Sequence, residues 1–507
     1  MIPLTKGKNL ALLQVLSLVT ALQACGGGDG AGGAGHGVDR FGTVDESAGG
    51  SAVSTTALPT VNSRQAQAKL PGESPVPSAK PPTAEQLAVI NALANGPDEF
   101  LRKAQELVRI IRSDSDLSAP TPRSPVVSLP AKPLVGVVDY STDMSPERQA
   151  VLAKFGLVIL SGRGTGQALG AYTAALKTLN PQIKIAHYVA HNELPCIVDA
   201  NSYYAPLFQE ASNAGWWLYT AAGSKAQWTQ LYHACDLNIT RWAPRNAKGQ
   251  SWVQFKAAYD YVTLLKDAPS IDYVFDDNVM YRPRMDADWK RIGTDQPGSD
   301  DEVAAAMRQG QAAYWTALRA LKPDLKIIGN ADNDLSFPEH AQQLDGAMQE
   351  AAIGASWSLE TWAGWEAAMT MYRGQLRNSR SKDVVFEVRA QPNQPQMRRY
   401  GLASALLDDG YFMVGETYPP RWFDDYDVPI GTPVQAPPDS PAEDGIYLRR
   451  YSNGVVLVNP SKTSSGTIDI GPGYRRYVSE DQPEIYNGAS ERYVTLGPRE
   501  GRMMIRE

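Results

Sequence analysis

Histidine and cysteine are scarce: the 507 residues hold five of the first and three of the second. Three cysteines exclude a disulfide-dense scaffold and a tetrathiolate zinc site. Five histidines leave little for a histidine-rich metal centre, so no metal and no cofactor is expected. Positive charge is not in excess, since 48 basic against 55 acidic side chains give a net −7. That balance argues against nucleic acid or an anionic membrane surface as the main partner. A Gly-rich dinucleotide fingerprint is also missing; Ser161-Gly162-Arg163-Gly164-Thr165-Gly166 is only a partial match. What is present is a hydrophobic fraction of 43%, enough for a sizeable core, together with eleven tryptophans. The length allows two or three domains, or one large domain with additions.

Long apolar runs are absent beyond the N-terminus, where Lys6 and Lys8 precede an apolar stretch from Leu10 to Leu22. This stretch is too short for a transmembrane helix but has the length of a signal-peptide core. It ends in Leu22-Gln23-Ala24-Cys25 before Gly26-Gly27-Gly28, which resembles a bacterial lipoprotein signal with its lipobox. The resemblance implies removal of residues 1–24, lipidation at Cys25 and, with Gly26 next, export to the outer membrane. The expected location is the cell envelope, with membrane contact through the lipid anchor only. Residues 25–82 are Gly, Ala, Ser and Pro with scattered charge. They cannot bury enough apolar surface to offset ordering, and read as a disordered tether. Residues 83–133 begin with Thr83-Ala84-Glu85-Gln86, a capping box, and continue as a helical segment into a Pro/Ser-rich linker.

From Leu134 the texture changes to short Val/Ile-rich runs alternating with longer amphipathic stretches. Strands are expected at 134–140, 157–161, 183–190, 271–276, 325–330, 344–350, 384–388 and 411–416. Ser145-Pro146-Glu147 starts a helix with a cap and an early proline. Asp300–Leu321 repeats Val303, Met307, Trp315 and Leu318 at helical spacing. Eight such units over 134–432 predict an α/β fold, a (β/α)8 TIM barrel, with an insertion of about 80 residues after the third strand. A doubly wound sheet is the structural alternative. Residues 433–507 hold short alternating runs without helices and predict a small C-terminal antiparallel β domain.

In such a barrel, chemistry sits at the carboxyl ends of the strands. Those ends carry Asp139, then Asp276-Asp277-Asn278, then Asn330 and Asp332, then Glu350, then Glu387 and Arg389, and finally Glu416. Cleaving a glycosidic bond takes two carboxyl groups, one to protonate the leaving oxygen and one to act as nucleophile or base. Asp276 and Glu350 are the expected pair, with Asp277 as substitute for Asp276. Asp139, Tyr140, Asn330, Asp332, Arg389 and Glu416 are candidates for substrate positioning; Asp139 and Glu416 could equally be structural. A lone Asp after a strand most often caps the next helix. All eleven tryptophans lie between Trp216 and Trp422. Of these, Trp242, Trp357 and Trp422 are read as sugar-stacking surfaces, although such rings commonly pack helices instead.

Four segments carry a family resemblance: Asp139-Tyr140-Ser141, Phe275-Asp276-Asp277-Asn278, Asp345-Gly346 through Glu350, and Gly401–Gly431 with Asp424-Asp425-Tyr426-Asp427. Over most of residues 134–460 the chain resembles the hypothetical glycosyl hydrolase family 15. That implies a TIM-barrel, glycosidase-like domain acting on a polysaccharide or oligosaccharide. Arg449 to Pro460 resembles the β domain that follows amylase-type barrels. Two other functions stay open. One is a catalytically inactive, carbohydrate-binding outer-membrane lipoprotein. The other is a polysaccharide deacetylase, suggested by Asp276-Asp277 with His187 and His191; residues four apart on a strand, however, lie about 13 Å apart, too far to share one metal. With Cys25 lipidated, Cys196 and Cys235 remain and are expected to pair as a disulfide in an exported protein. The chain is expected to act as a monomer.

Overall fold

The computed structural model describes residues 81–93, 132–289, 299–415 and 419–507. The leader, Cys25, most of the tether and most of the Pro/Ser-rich linker lie outside the described residues, as does Glu416.

Eight parallel strands form one sheet: β1 (Gly136–Asp139), β2 (Leu157–Leu160), β3 (Lys184–Val189), β6 (Tyr273–Val279), β7 (Lys326–Ala331), β8 (Gly346–Ile353), β9 (Val385–Val388) and β10 (Tyr411–Val414). Two short strands between β3 and β6, β4 (Glu193–Pro195) and β5 (Ala234–Asp236), form a separate antiparallel pair, with helix Ala205–Ala214 in the connection between them. The sheet closes on itself where Val135 bridges Phe412 and the Phe412 N–H donates to the Leu134 carbonyl at 2.8 Å. This is the (β/α)8 barrel.

Strand parity sorts the side chains into two layers. Leu157, Ile159, Ala186, Tyr188, Tyr273, Phe275, Ile328, Met348, Val385, Tyr411 and Met413 fill the inside. Their neighbours one residue away, such as Val158, Ile185, Val274 and Phe386, face the helices. Where the strands begin, the interior is plugged by Asp383, which accepts from Tyr273 Oη at 2.8 Å and Lys184 Nζ at 2.6 Å. The helices start where the sequence supplies caps. Ser145 accepts from the Arg148 N–H, Ser299 from the Glu302 N–H, and Ser251 with Gln254 closes a capping box.

Helix Ala84–Leu93 starts with the reciprocal Thr83–Gln86 bonds and buries Ile90 against the insertion; its Asn91 carbonyl accepts from Gln250. At the C-terminus, β11 (Tyr447–Tyr451), β12 (Gly454–Asn459), β14 (Tyr474–Arg476) and β16 (Glu500–Arg506) form an antiparallel sheet. Beside it lies the pair β13 (Gly466–Asp469) and β15 (Tyr493–Leu496). One face of the larger sheet has its own core, with Leu448, Val455, Leu457 and Met504. The other sends Val456, Val458, Met503 and Ile505 into the barrel's outer layer.

Candidate active site

The decisive element is β6, Tyr273-Val274-Phe275-Asp276-Asp277-Asn278-Val279. Tyr273 and Phe275 point into the barrel, so parity carries Asp277 inward and Asp276 outward. Asp276 is fully buried behind the barrel wall, accepting from Trp315 Nε1 at 2.6 Å and bonding His191 Nδ1 at 2.9 Å. The expectation that Asp276 pairs with Glu350 is corrected: it ties a helix to the strand. The carboxylate that opens into the mouth is Asp277.

Asp277 receives three hydrogen bonds: from Tyr188 Oη, from Asn330 Nδ2 at 2.7 Å and from the Asn278 N–H at 2.9 Å. The same Asn330 nitrogen donates to Glu350 Oε2 at 2.8 Å. The bonded oxygens of Asp277 and Glu350 therefore lie no farther apart than those two bonds laid end to end. Glu350 also pairs with Arg389 Nη2 at 2.5 Å, and its side chain is 36% exposed. Burial, and then the Glu350 charge, push the Asp277 carboxyl up to about 6.

Both carboxylates sit where the ladder breaks. The residue after each has a left-handed backbone, Asn278 at φ +55 and Ala351 at φ +44, and the pairing register shifts at both places. Such bulges re-aim side chains, and left-handed backbone at a non-glycine residue stores strain of order 1–3 kcal/mol. The bulge at Ala351 is held by Glu387 on β9, whose carboxylate accepts from the Ala351 N–H and pairs with Arg389 Nε at 3.0 Å. Gly415 leaves room for this group, because a Cβ there would meet Glu387 Oε1 at 1.4 Å.

Tyr140 stands edge-on to Tyr188 with ring centres 5.8 Å apart. Burial, then Asp277 and Glu350, hold its hydroxyl well above the usual tyrosine range. Trp357 is 57% exposed with the Arg389 guanidinium 5.6 Å from its ring centre. Tyr140, Asn330, Trp357 and Arg389 thus gather around Asp277 and Glu350.

Other candidates are elsewhere. Asp139 faces outward, fully buried, and is bound by Arg148 and Arg163. Asp332 secures the loop after β6 through the Tyr281 N–H and Arg284. The ring partners of Trp242 are Trp289 and Arg241. Trp422 packs on Phe155 and Tyr426 on the side where the strands begin, so it is not a mouth residue. His187 and His191 are both buried; parity turns His187 outward, and His191 stacks on Tyr314. Among the described residues no group of three or more His, Cys, Asp or Glu is arranged to hold a metal ion.

Sequence reading missed a third carboxyl, Glu193 on β4. It accepts from Asn278 Nδ2 at 3.0 Å and Trp228 Nε1 at 3.2 Å. Burial, then Asp277, push it up to about 7. Its strand pair is joined by the Cys196–Cys235 disulfide, with α-carbons 5.0 Å apart. The same insertion supplies Tyr232, whose hydroxyl is raised by burial and by Glu350. No motif marks Glu193; its position becomes visible only once the insertion is folded.

Residues 177–455, more than half the chain, match the model of the hypothetical glycosyl hydrolase family 15. Among solved structures, the GH36 α-galactosidase AgaA from Geobacillus stearothermophilus is 10% identical, covering 75% of this chain and 56% of its own, with a TM-score of 0.40. An α-amylase from Geobacillus thermoleovorans, complexed with acarbose, is 10% identical, covering 74% of this chain and 98% of its own, at 0.41. The glycoside hydrolase domain of PelA from Pseudomonas aeruginosa is 16% identical, covering 56% of this chain and 94% of its own, at 0.36. The chain spans about half the length of the α-galactosidases it matches. No curated protein matches.

Proposed function

The chain belongs to the hypothetical glycosyl hydrolase family 15, and on that premise we propose that it hydrolyses a glycosidic bond in a polysaccharide or oligosaccharide with Asp277 and Glu350, retaining the anomeric configuration. The observation that carries this reading is the single Asn330 amide bonded to both carboxylates. The separation it allows suits a retaining pair, roughly 5–5.5 Å, and falls short of the roughly 6.5–9.5 Å that an inverting pair keeps for water.

The roles follow from surroundings. Asp277 is deep and fixed by three donors, which suits a nucleophile. Glu350 is the more open and can meet both leaving group and water. The reaction needs Asp277 ionised and Glu350 protonated. An Asp277 oxygen attacks the anomeric carbon while the bond to the leaving oxygen breaks and Glu350 protonates that oxygen. Glu350, now a carboxylate, takes a proton from water; the water oxygen attacks the anomeric carbon and releases Asp277. Tyr188 and Asn330 hold the Asp277 oxygens in line, Arg389 orients Glu350, and Trp357 offers a face for a sugar ring.

Screening the purified chain against a panel of polysaccharides and 4-methylumbelliferyl glycosides tests the activity. Release of reducing ends by the native chain, abolished in Asp277→Asn, is the expected result; binding without cleavage across the panel would contradict it. We further propose that Cys25 carries lipid and holds the barrel at the cell envelope. Radiolabelled palmitate entering the native chain but not Cys25→Ser is the expected outcome.

A further inference from the structure

The strand pair β4–β5 reaches the bulge behind Asp277 from one side. Asn192 Nδ2 donates to the Asn278 carbonyl at 3.4 Å, and Glu193 Oε1 accepts from Asn278 Nδ2 at 3.0 Å. Asn278 in turn donates its N–H to Asp277 Oδ1. The side chain of Asn278 is therefore held by Glu193, its carbonyl by Asn192, and its N–H by the carboxylate it helps aim. Asparagine tolerates the left-handed backbone better than most residues, yet a conformation at φ +55 persists only when its surroundings hold it.

The strand pair is itself braced. Glu193 stands opposite Asp236, and Leu194 opposite Cys235, in the β4–β5 register. The Trp228 N–H donates to Asp236 Oδ2 at 3.0 Å while Trp228 Nε1 donates to Glu193, so one residue ties both strands together. The Cys196–Cys235 bond locks the end of the pair. None of these contacts is needed to close the barrel, whose strands pair without β4 and β5.

We infer that Glu193 is a positioning residue for the proposed hydrolysis: through Asn278 it fixes the bulge that aims Asp277, and the disulfide-braced strand pair thereby becomes part of the reaction machinery. This rests on the reading of Asp277 as nucleophile. Glu193 acts through its hydrogen bond, so glutamine, which keeps a side-chain oxygen for Asn278, replaces most of its function. Its elevated titration comes from burial and then from the Asp277 charge, not from contact with reacting atoms.

The test uses the full chain and whichever 4-methylumbelliferyl glycoside of the panel it hydrolyses fastest. Glu193→Ala should lower kcat about ten- to a hundredfold, the scale of misplacing a reacting group by about 1 Å, with KM within about twofold. Glu193→Gln should restore most of that loss and remove any titration near 7 from the pH profile. Asn278→Gly, which permits the same backbone but lacks the amide, should match Glu193→Ala, and the double variant should lose no more than the worse single one. Additive losses, or a Gln variant as impaired as Ala, would overturn the inference. Asp277→Asn is run alongside. If it stays active, the reading of the nucleophile fails first; if it is inactive while Glu193→Ala keeps native kcat, this inference alone fails. A crystal structure of Glu193→Ala supplies a readout that needs no substrate: Asn278 should leave its left-handed conformation and Asp277 should part from Tyr188 or Asn330, and an unchanged bulge would refute the role.

Discussion

Two adjacent aspartates on one strand have opposite fates, and parity decides which is which. Asp276 closes a buried contact with His191 and Trp315, whereas Asp277 faces Glu350 across Asn330. Asp276→Asn should therefore cost about 1.5–3 kcal/mol of stability, the worth of hydrogen bonds to a buried charge, while folded protein keeps its turnover; urea denaturation beside kinetics checks this. Asp277→Asn and Glu350→Gln should lower turnover by about a hundredfold to ten-thousandfold with folding intact. The pH dependence follows from Asp277, raised to about 6 by burial and by Glu350. Hydrolysis should rise as pH rises through about 6, where Asp277 loses the proton that blocks its attack. The stability sign is the opposite: a carboxyl raised on folding favours the protonated folded state, so its contribution is present below the unfolded value of about 4 and is lost as pH rises through about 6. Across pH 4 to 8 the melting temperature of Asp277→Asn should gain on the native chain; a constant difference would contradict the shift. Sequence reading put Asp276, not Asp277, in the mouth, because a one-residue change of phase exchanges every side chain. The inward aromatics Tyr273 and Phe275 contain the answer only when the rest of the layer is known.

At the scale of elements, the barrel strands were legible because each is a short Val/Ile-rich run bounded by polar turns, and the helices because their caps and periodicity agree. The insertion between β3 and β6 was not legible as function. Its strands β4 and β5 are only three residues each, and Glu193 gains its place from pairing with Asp236 and from the disulfide. Aromatic composition also misled: Trp422 is packing, whereas Trp357 stands at the mouth. The bridge joins cysteines 39 apart in sequence, a closure worth about 4 kcal/mol on the chain-entropy view. Replacing both cysteines by serine should lower stability by up to that amount. It should also reduce kcat more than KM, because the loosened strand pair releases Asn278; unchanged kcat in the folded variant would separate the brace from catalysis.

At the scale of the molecule, barrel and C-terminal sheets share buried contacts that neither would leave open in water. Arg399 of helix Pro395–Leu406 pairs with Glu500 at 2.9 Å, Arg449 donates to the Asp408 carbonyl at 2.7 Å, and Tyr451 Oη to the Leu406 carbonyl at 2.5 Å. Gly501 lies so close to this helix that a Cβ would meet Ala403 at 2.6 Å. Truncation after Pro433 would expose Arg449's partners and the apolar strip that Val456, Val458, Met503 and Ile505 cover. The truncated chain should be insoluble or lose its cooperative transition; a soluble, fully active barrel would show the contact to be dispensable. Removing residues 26–80, within the stretch that sequence reads as a tether, should leave melting temperature and hydrolysis unchanged in vitro.

The central claim is that Asp277, not its neighbour, forms the covalent bond. Incubating the chain with the 2-deoxy-2-fluoro fluoride of the sugar it hydrolyses, then mapping the labelled peptide by mass spectrometry, tests this directly. One glycosyl adduct on Asp277 is expected, absent from Asp277→Asn and present in Asp276→Asn. An adduct on Asp276 or Glu350, or turnover with inversion and no adduct, would contradict it.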